Sequence, residues 1–240
     1  MNQEDIELRL LANLPIPLDG AGFVNIPSFR TVVETGLSAY NSCLAYLLID
    51  KDSLQNPVHP SVSNFDIFFT NCYHSEEFRN AAFAALKLFF RYNTELISNQ
   101  EEFYIQVGEK LRLDNSNFEL FQKIVQLANN IKITKGPEYK PGNSKAQEMI
   151  NMILKNRKKQ PKPKDKIDLV SMVSALAWKQ NGINIFNVFD LNIFQIYNAF
   201  HVTNNIDNYH HTVTAIYAGT IDGKNIKMSD IHWANKIQEE

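Results

Sequence analysis

Between Asp168 and Gly182 the chain holds a helix-length run with almost no polar face. Leu169, Val170, Met172, Val173, Ala175, Leu176, Ala177 and Trp178 would occupy every side of that helix. Asp168 is placed to cap its start and Gly182 to end it, so the spacing predicts a helix over 169–180. A helix that is apolar all round must be covered on all sides. It is therefore the central helix of its half, or part of its surface packs against another chain. With Trp178 in a core, Trp178→Ala would cost about 3–5 kcal/mol.

The residues that follow continue in the same style. Asn184 and Asn192 can cap two short helices, the first bearing Ile185, Phe186, Val188 and Phe189, the second Ile193, Phe194, Ile196, Tyr197 and Phe200. Ile206, Tyr209, Val213, Ile216 and Tyr217 mark a further helix ending at Gly219. A brief extended piece at Ile226 and Met228 leads to Ser229, which can cap a last helix with Ile231, Trp233, Ala234 and Ile237.

Upstream, residues 14–27 are too rich in Pro and Gly for a helix and predict an extended arm or a short hairpin around Asp19-Gly20. Ser28 can cap a short helix broken at Gly36, and Leu37 to Ile49 forms the next, with Tyr40, Leu44 and Leu47 on one face. Ser63 and Ser75 are N-cap residues for two more. The second carries Phe78, Ala82, Phe83, Leu86, Phe89 and Phe90, an aromatic stripe at helical spacing that belongs to a core. Phe103 to Leu113 alternates around Gly108-Glu109 and predicts a β-hairpin. A helix bearing Phe118, Phe121, Ile124, Val125 and Leu127 then follows. The fold class is mainly α, in two helical lobes with a minor β-hairpin near 103–113. The lobes are an N-terminal helical domain over 1–135 and a C-terminal helical module over 167–240.

Between them, 136–166 reads as a loop, a helix from Ser144 to about Lys155, and a basic linker. From Lys155 to Lys166 there are seven basic residues, one acid and two prolines, a composition that cannot bury a core. Clustered cations can neutralise phosphates. However, no aromatics interleave to stack bases, and no helix-turn-helix or zinc pattern flanks the run, which disfavours nucleic acid as the partner. Charge is divided unevenly along the chain. Residues 1–130 hold 9 Lys/Arg against 16 Asp/Glu, and residues 131–240 hold 15 against 10. That asymmetry fits head-to-tail association, an acidic partner for the C-terminal half, or two domains with different surfaces.

Catalytic grammar is missing from the sequence. It contains no G-x-S-x-G elbow, no G-x-x-x-x-G-K-[ST] loop and no G-x-G-x-x-G turn. His210 and His211 would point about 100° apart on a helix, and neither has a His or carboxylate four residues further on. Cys43 and Cys72 sit in apolar, helix-like settings that suit free buried thiols and a reducing compartment. No signal peptide is evident at Met1–Asp5, and no apolar stretch approaches the roughly 18 residues a membrane span needs. The expectation is a soluble intracellular product with no enzymatic activity, no cofactor and no metal.

The series Asp168-Leu169-Val170-Ser171-Met172-Val173-Ser174-Ala175-Leu176, Ile185-Phe186-Asn187-Val188-Phe189-Asp190-Leu191-Asn192-Ile193-Phe194-Gln195-Ile196-Tyr197, Asn208-Tyr209, Ala218-Gly219 and Ile231-His232-Trp233-Ala234 resembles proteins from the tail genes of contractile-tailed bacteriophages of Gram-positive hosts. Those are described as baseplate hub assembly proteins or tail assembly chaperones. Gly36-Leu37-Ser38-Ala39-Tyr40-Asn41, Asn115-Ser116-Asn117-Phe118 and Pro137-Glu138-Tyr139-Lys140 are similar to the same family's N-terminal segments. The resemblance implies a non-enzymatic assembly factor that binds hub or tail components during morphogenesis, in the host cytoplasm. A structural subunit of the virion baseplate or tail is the alternative, and a nucleic-acid-binding regulator using 155–166 comes third. Homo-oligomerisation is compatible with each. The residues assigned to partner binding are Trp178, Phe186, Phe189, Phe194, Tyr197 and Trp233, with Arg157, Lys158, Lys159, Lys162 and Lys164 from the basic run.

Overall fold

The computed structural model describes residues 1–51, 59, 61–99, 102–131 and 167–235. Within them the protein is mainly α, with eight α-helices and two small antiparallel sheets. The expected helix over 144–155 and the basic run fall outside the described residues.

The chain begins with α1 (Gln3–Leu11), capped by the Asn2 side chain, which accepts from the Asp5 amide. Ile6 and Leu10, one helical turn apart, are its buried pair. β1 (Ile16–Leu18) and β2 (Gly22–Val24) then pair in the hairpin expected around Asp19-Gly20. Gly22 needs to be glycine. Its φ is +84°, and a Cβ there would sit 2.6 Å from the Leu111 side chain.

Helices α2 (Phe29–Thr35) and α3 (Leu37–Leu47) are divided at Gly36, whose φ of 88° breaks the helical path. Ser63 caps α4 (Asn64–His74) in a reciprocal box with Asp66, and Ser75 caps α5 (Glu76–Phe90). Arg91, in the left-handed region, ends α5. The expected hairpin is present as β4 (Phe103–Val107) and β5 (Leu111–Leu113), and β3 (Thr94–Ser98) adds a third strand against β4. α6 (Phe118–Ala128) closes this part.

The core is built around rings. Phe68 meets Phe118 at 4.9 Å, Phe65 meets Phe118 at 5.5 Å, and Phe90 stacks on Phe121 at 5.2 Å, tying α4, α5 and α6 together. Among the described residues four polar side chains are buried, and each has its partners. Tyr40 donates to Asn129 Oδ1 at 2.8 Å. Gln122 donates to the Leu47 and Ile49 carbonyls at 2.9 Å each and accepts from Asn64. Asn117 donates to the Asp19 and Arg112 carbonyls at 3.0 Å each, fastening the first hairpin to β5. The fourth, Asn192, belongs to the C-terminal stretch.

That stretch comprises α7 (Leu169–Lys179), a 3₁₀ turn at Val188–Asp190, α8 (Ile193–Tyr217) and a second 3₁₀ turn at Gly223–Asn225. Met172, Val173, Leu176, Ala177, Val188, Ile193 and Ile196 join the same hydrophobic cluster as the N-terminal elements. Phe29 N donates to the Leu191 carbonyl at 2.7 Å, and Phe29 stacks on Phe189 at 5.7 Å.

Several expectations are corrected here. The two short helices assigned to 193–200 and 206–217 form one helix of 25 residues. No Gly or Pro interrupts 193–217, so nothing forces a break. The helix expected from Asn184 is a loop ending in the 3₁₀ turn. Asn184 and Asn187 use their side chains on nearby amides instead, with Phe186 N donating to Asn184 Oδ1 and Asn184 N to Asn187 Oδ1. The helix expected from Ser229 is absent through Asn235, where turns stand in its place. There Asn235 Nδ2 binds the Ser229 and Asp230 carbonyls. Ile237 lies outside the described residues.

Candidate protein-interaction surface

Helix α7 buries one face and leaves the other bare. Asp168 accepts from the Ser171 amide at 2.8 Å, and that bond holds its carboxyl below the usual aspartate range. Met172, Val173, Leu176 and Ala177, at the spacing of one helical face, turn into the core. Gln180, with φ 59°, stops the helix before Gly182 can. Val170, Ser171, Ser174, Ala175 and Trp178 face outward.

Trp178 is thus a correction. It is 70% exposed, because the register that buries Leu176 and Ala177 carries the next residue about 100° round the helix. The all-round apolar pattern asks for a central helix or for one partly covered by another chain; in the structure three of its eight apolar residues, Val170, Ala175 and Trp178, are exposed.

The remaining residues assigned to partner binding fall into three groups. Phe186 is 85% exposed at the head of the loop, with Ile185 beside it in sequence and also exposed. Trp233 is 42% exposed and stacks on His232 at 5.4 Å; His232 in turn meets Tyr209 of α8 at 5.6 Å. Phe189, Phe194 and Tyr197 are partly buried and pack against the core. Arg157, Lys158, Lys159, Lys162 and Lys164 lie outside the described residues.

Some surface residues were missed in the sequence. Tyr217, assigned to a helical stripe, is 87% exposed at the end of α8. Val170, read as core, is 66% exposed. A periodicity count could have separated Val170 and Trp178 from the buried face, since they lie eight residues apart on the side opposite Met172 and Leu176.

Charge is sparse here. Between Asp168 and Asp190 the sequence has one charged side chain, Lys179, and it is paired with Asp207 of α8. Asp190 is bound by Arg30 at 3.0 Å. Among the described residues no group of three or more His, Cys, Asp or Glu converges as a metal-binding set. No described helix is long and apolar enough to cross a membrane. Cys72 is buried and Cys43 half-buried; burial pushes the Cys72 thiol up to about 12 and raises that of Cys43. Neither is primed as a nucleophile. The arrangement offers apolar, largely uncharged contact area.

No curated protein and no solved structure matches the chain. Residues 158–238 match the family model described as the YomV second domain. The matched span takes in α7, α8 and the exposed aromatics, about a third of the chain, and in those residues the chain is similar to a domain of a phage-derived family.

Proposed function

We propose that the protein is a non-enzymatic bacteriophage tail or baseplate assembly factor, which binds hub or tail components during morphogenesis in the host cytoplasm. One observation carries the reading. The span similar to a phage-derived domain, residues 158–238, is also where Trp178, Phe186, Tyr217 and Trp233 present aromatic area to solvent. Large exposed aromatics are energetically costly to leave wet and are the side chains that anchor protein interfaces. Apolar area buried on binding contributes roughly 25 cal/mol per Å² before the costs of association. The protein acts by covering a partner's surface, and it makes and breaks no bonds.

The test is capture of tagged chain from phage-producing cells, followed by identification of the co-purifying proteins. Tail or hub proteins should accompany the wild type and be depleted with Phe186→Ser, which alters an exposed side chain. Their absence from the wild-type capture would sink the proposal. Purified particles decide between a transient factor and a virion subunit: stoichiometric presence of the chain would make it a structural component.

A further inference from the structure

At three places in the sequence a glycine follows an aspartate or asparagine: Asp19-Gly20, Asn181-Gly182 and Asp222-Gly223. Such pairs are chemically labile, because a glycine nitrogen has no Cβ beside it and can close on the side-chain carbonyl of the residue before. The fold treats the three differently. A Cβ at Gly20 would meet Asn117 Nδ2 at 3.2 Å and one at Gly223 would meet the Ile216 side chain at 3.0 Å, whereas one at Gly182 would meet nothing within 4 Å. Asp222 is further tied, accepting from the Lys224 amide at 3.0 Å. Asn181 is exposed, and among the described residues neither its side chain nor the Gly182 amide nitrogen has a hydrogen-bond partner. The other two asparagines of this loop are engaged. Asn184 Oδ1 accepts from Phe186 N, and Asn187 accepts from Asn184 N and donates to the Gly182 carbonyl at 3.1 Å.

We propose that Asn181-Gly182 is a site of spontaneous deamidation, a covalent modification that alters the end of α7 and the loop carrying Phe186. The Gly182 nitrogen, having lost its proton to hydroxide, attacks Asn181 Cγ. A bond from that nitrogen to Cγ forms, the bond from Cγ to Nδ2 breaks, and ammonia leaves with a proton taken from solvent. Water then opens the resulting cyclic imide at one of its two carbonyls. Opening at Cγ leaves aspartate; opening at the main-chain carbonyl leaves isoaspartate, with one more methylene in the backbone. Nothing is oxidised or reduced, and water is the only co-reactant. Either product puts a carboxylate just past Gln180, where the last carbonyls of α7 and the helix dipole already concentrate negative charge. The final turn, with Trp178 and Lys179, is weakened. Isoaspartate also shifts the Gly182 carbonyl on which Asn187 holds the loop.

The experiment holds the full chain in warm, mildly alkaline buffer for days, then maps its peptides by mass spectrometry and labels isoaspartate with isoaspartyl methyltransferase. Fragmentation should place the change from amide to acid at residue 181, roughly tenfold faster than at any other asparagine, because no other asparagine in the sequence precedes a glycine. Asn181→Gln, whose longer side chain has to close a larger ring, should lose nearly all of the isoaspartate. It should keep the wild-type melting temperature, since the position is exposed. Urea-unfolded chain should react no more than a few-fold faster than folded chain, because the fold leaves both reacting groups free. A folded chain protected at Asn181 by orders of magnitude, or isoaspartate undiminished in Asn181→Gln, would overturn the proposal. Asn181→Asp, which reproduces one product, should speed hydrogen exchange several-fold at the last amides of α7. Exchange equal to wild type there would overturn the weakening of the helix end.

Discussion

Asn192 donates from its side-chain nitrogen to the carbonyl of Leu10 at 3.0 Å, across 182 positions of sequence. The same amide reaches Asn13 Oδ1, its oxygen accepts from the Gln195 amide, and its own backbone N–H is taken by the Gln195 side chain. One buried residue therefore caps α8 and ties it to the C-terminal end of α1. Gln195 adds a second clip to the Leu11 carbonyl at 2.8 Å. The stretch that carries the candidate surface is held to the body of the protein at this point.

Asn192→Ala should destabilise the protein by about 2–4 kcal/mol, combining a lost N-cap with the lost side-chain bonds to Leu10 and Asn13. Urea denaturation followed by circular dichroism would measure it. Asn192→Asp keeps the cap acceptor but turns a buried carboxylate oxygen toward the Leu10 and Asn13 oxygens, so it should cost at least as much as Ala. An unchanged midpoint for both would remove Asn192 from the role given to it.

Trp178→Ala should shift stability by no more than about 0.5 kcal/mol, as for other exposed positions. Phe121→Ala, at a ring buried against Phe89 and Phe90, should cost about 3–5 kcal/mol. Thermal melting of the pair is a direct check on which aromatics are structural. A large loss at Trp178 would put that ring back in a core.

Much of the fold was legible because the caps were. Ser28, Ser63, Ser75, Asp168 and Asn192 were all read as N-caps, and each accepts a bond from an amide three residues on. Helix α1 was missed because only Ile6 and Leu10 mark its buried face, too few to register as a period. β3 was missed because Thr94-Glu95-Leu96-Ile97-Ser98 has no alternation of its own; its pairing with β4 makes it a strand. The exposed surface was the harder case. Apolarity says that a side chain gains from cover, and it does not say whether the cover comes from the same chain. Phe189 found Phe29, whereas Phe186, three residues earlier, stands almost fully exposed.

Thiol chemistry should separate the two cysteines. Cys72 is buried and its thiol is pushed up to about 12, so in the folded protein it should resist iodoacetamide at pH 8. Half-buried Cys43 should label first, though slowly, since burial raises its thiol as well. Intact mass with and without denaturant reads both. The raised value also sets a sign for stability. The thiol's contribution is complete below the ordinary value of 9.0 and is lost as pH climbs from there toward about 12. Cys72→Ala should flatten that part of the alkaline pH dependence.

Acid should act on α7 through Asp168. Its carboxyl is held below the ordinary 3.8 chiefly by the bond from the Ser171 amide, so the folded protein favours the ionised form. A depressed folded value means the contribution to stability is present above about 3.8 and is lost as pH falls through the lower, folded value. The charge also lies at the positive end of the helix dipole, which works in the same direction. Asp168→Asn preserves an acceptor for the Ser171 amide and removes the titrating group. It should therefore leave the neutral-pH structure in place while flattening the response as pH falls below about 3.8. Asp168→Ala loses the cap at every pH. Hydrogen exchange at the amides of α7, followed through the acid range, distinguishes the three proteins. If wild type and Asp168→Asn lose protection in parallel, the acid response of α7 originates at another carboxylate.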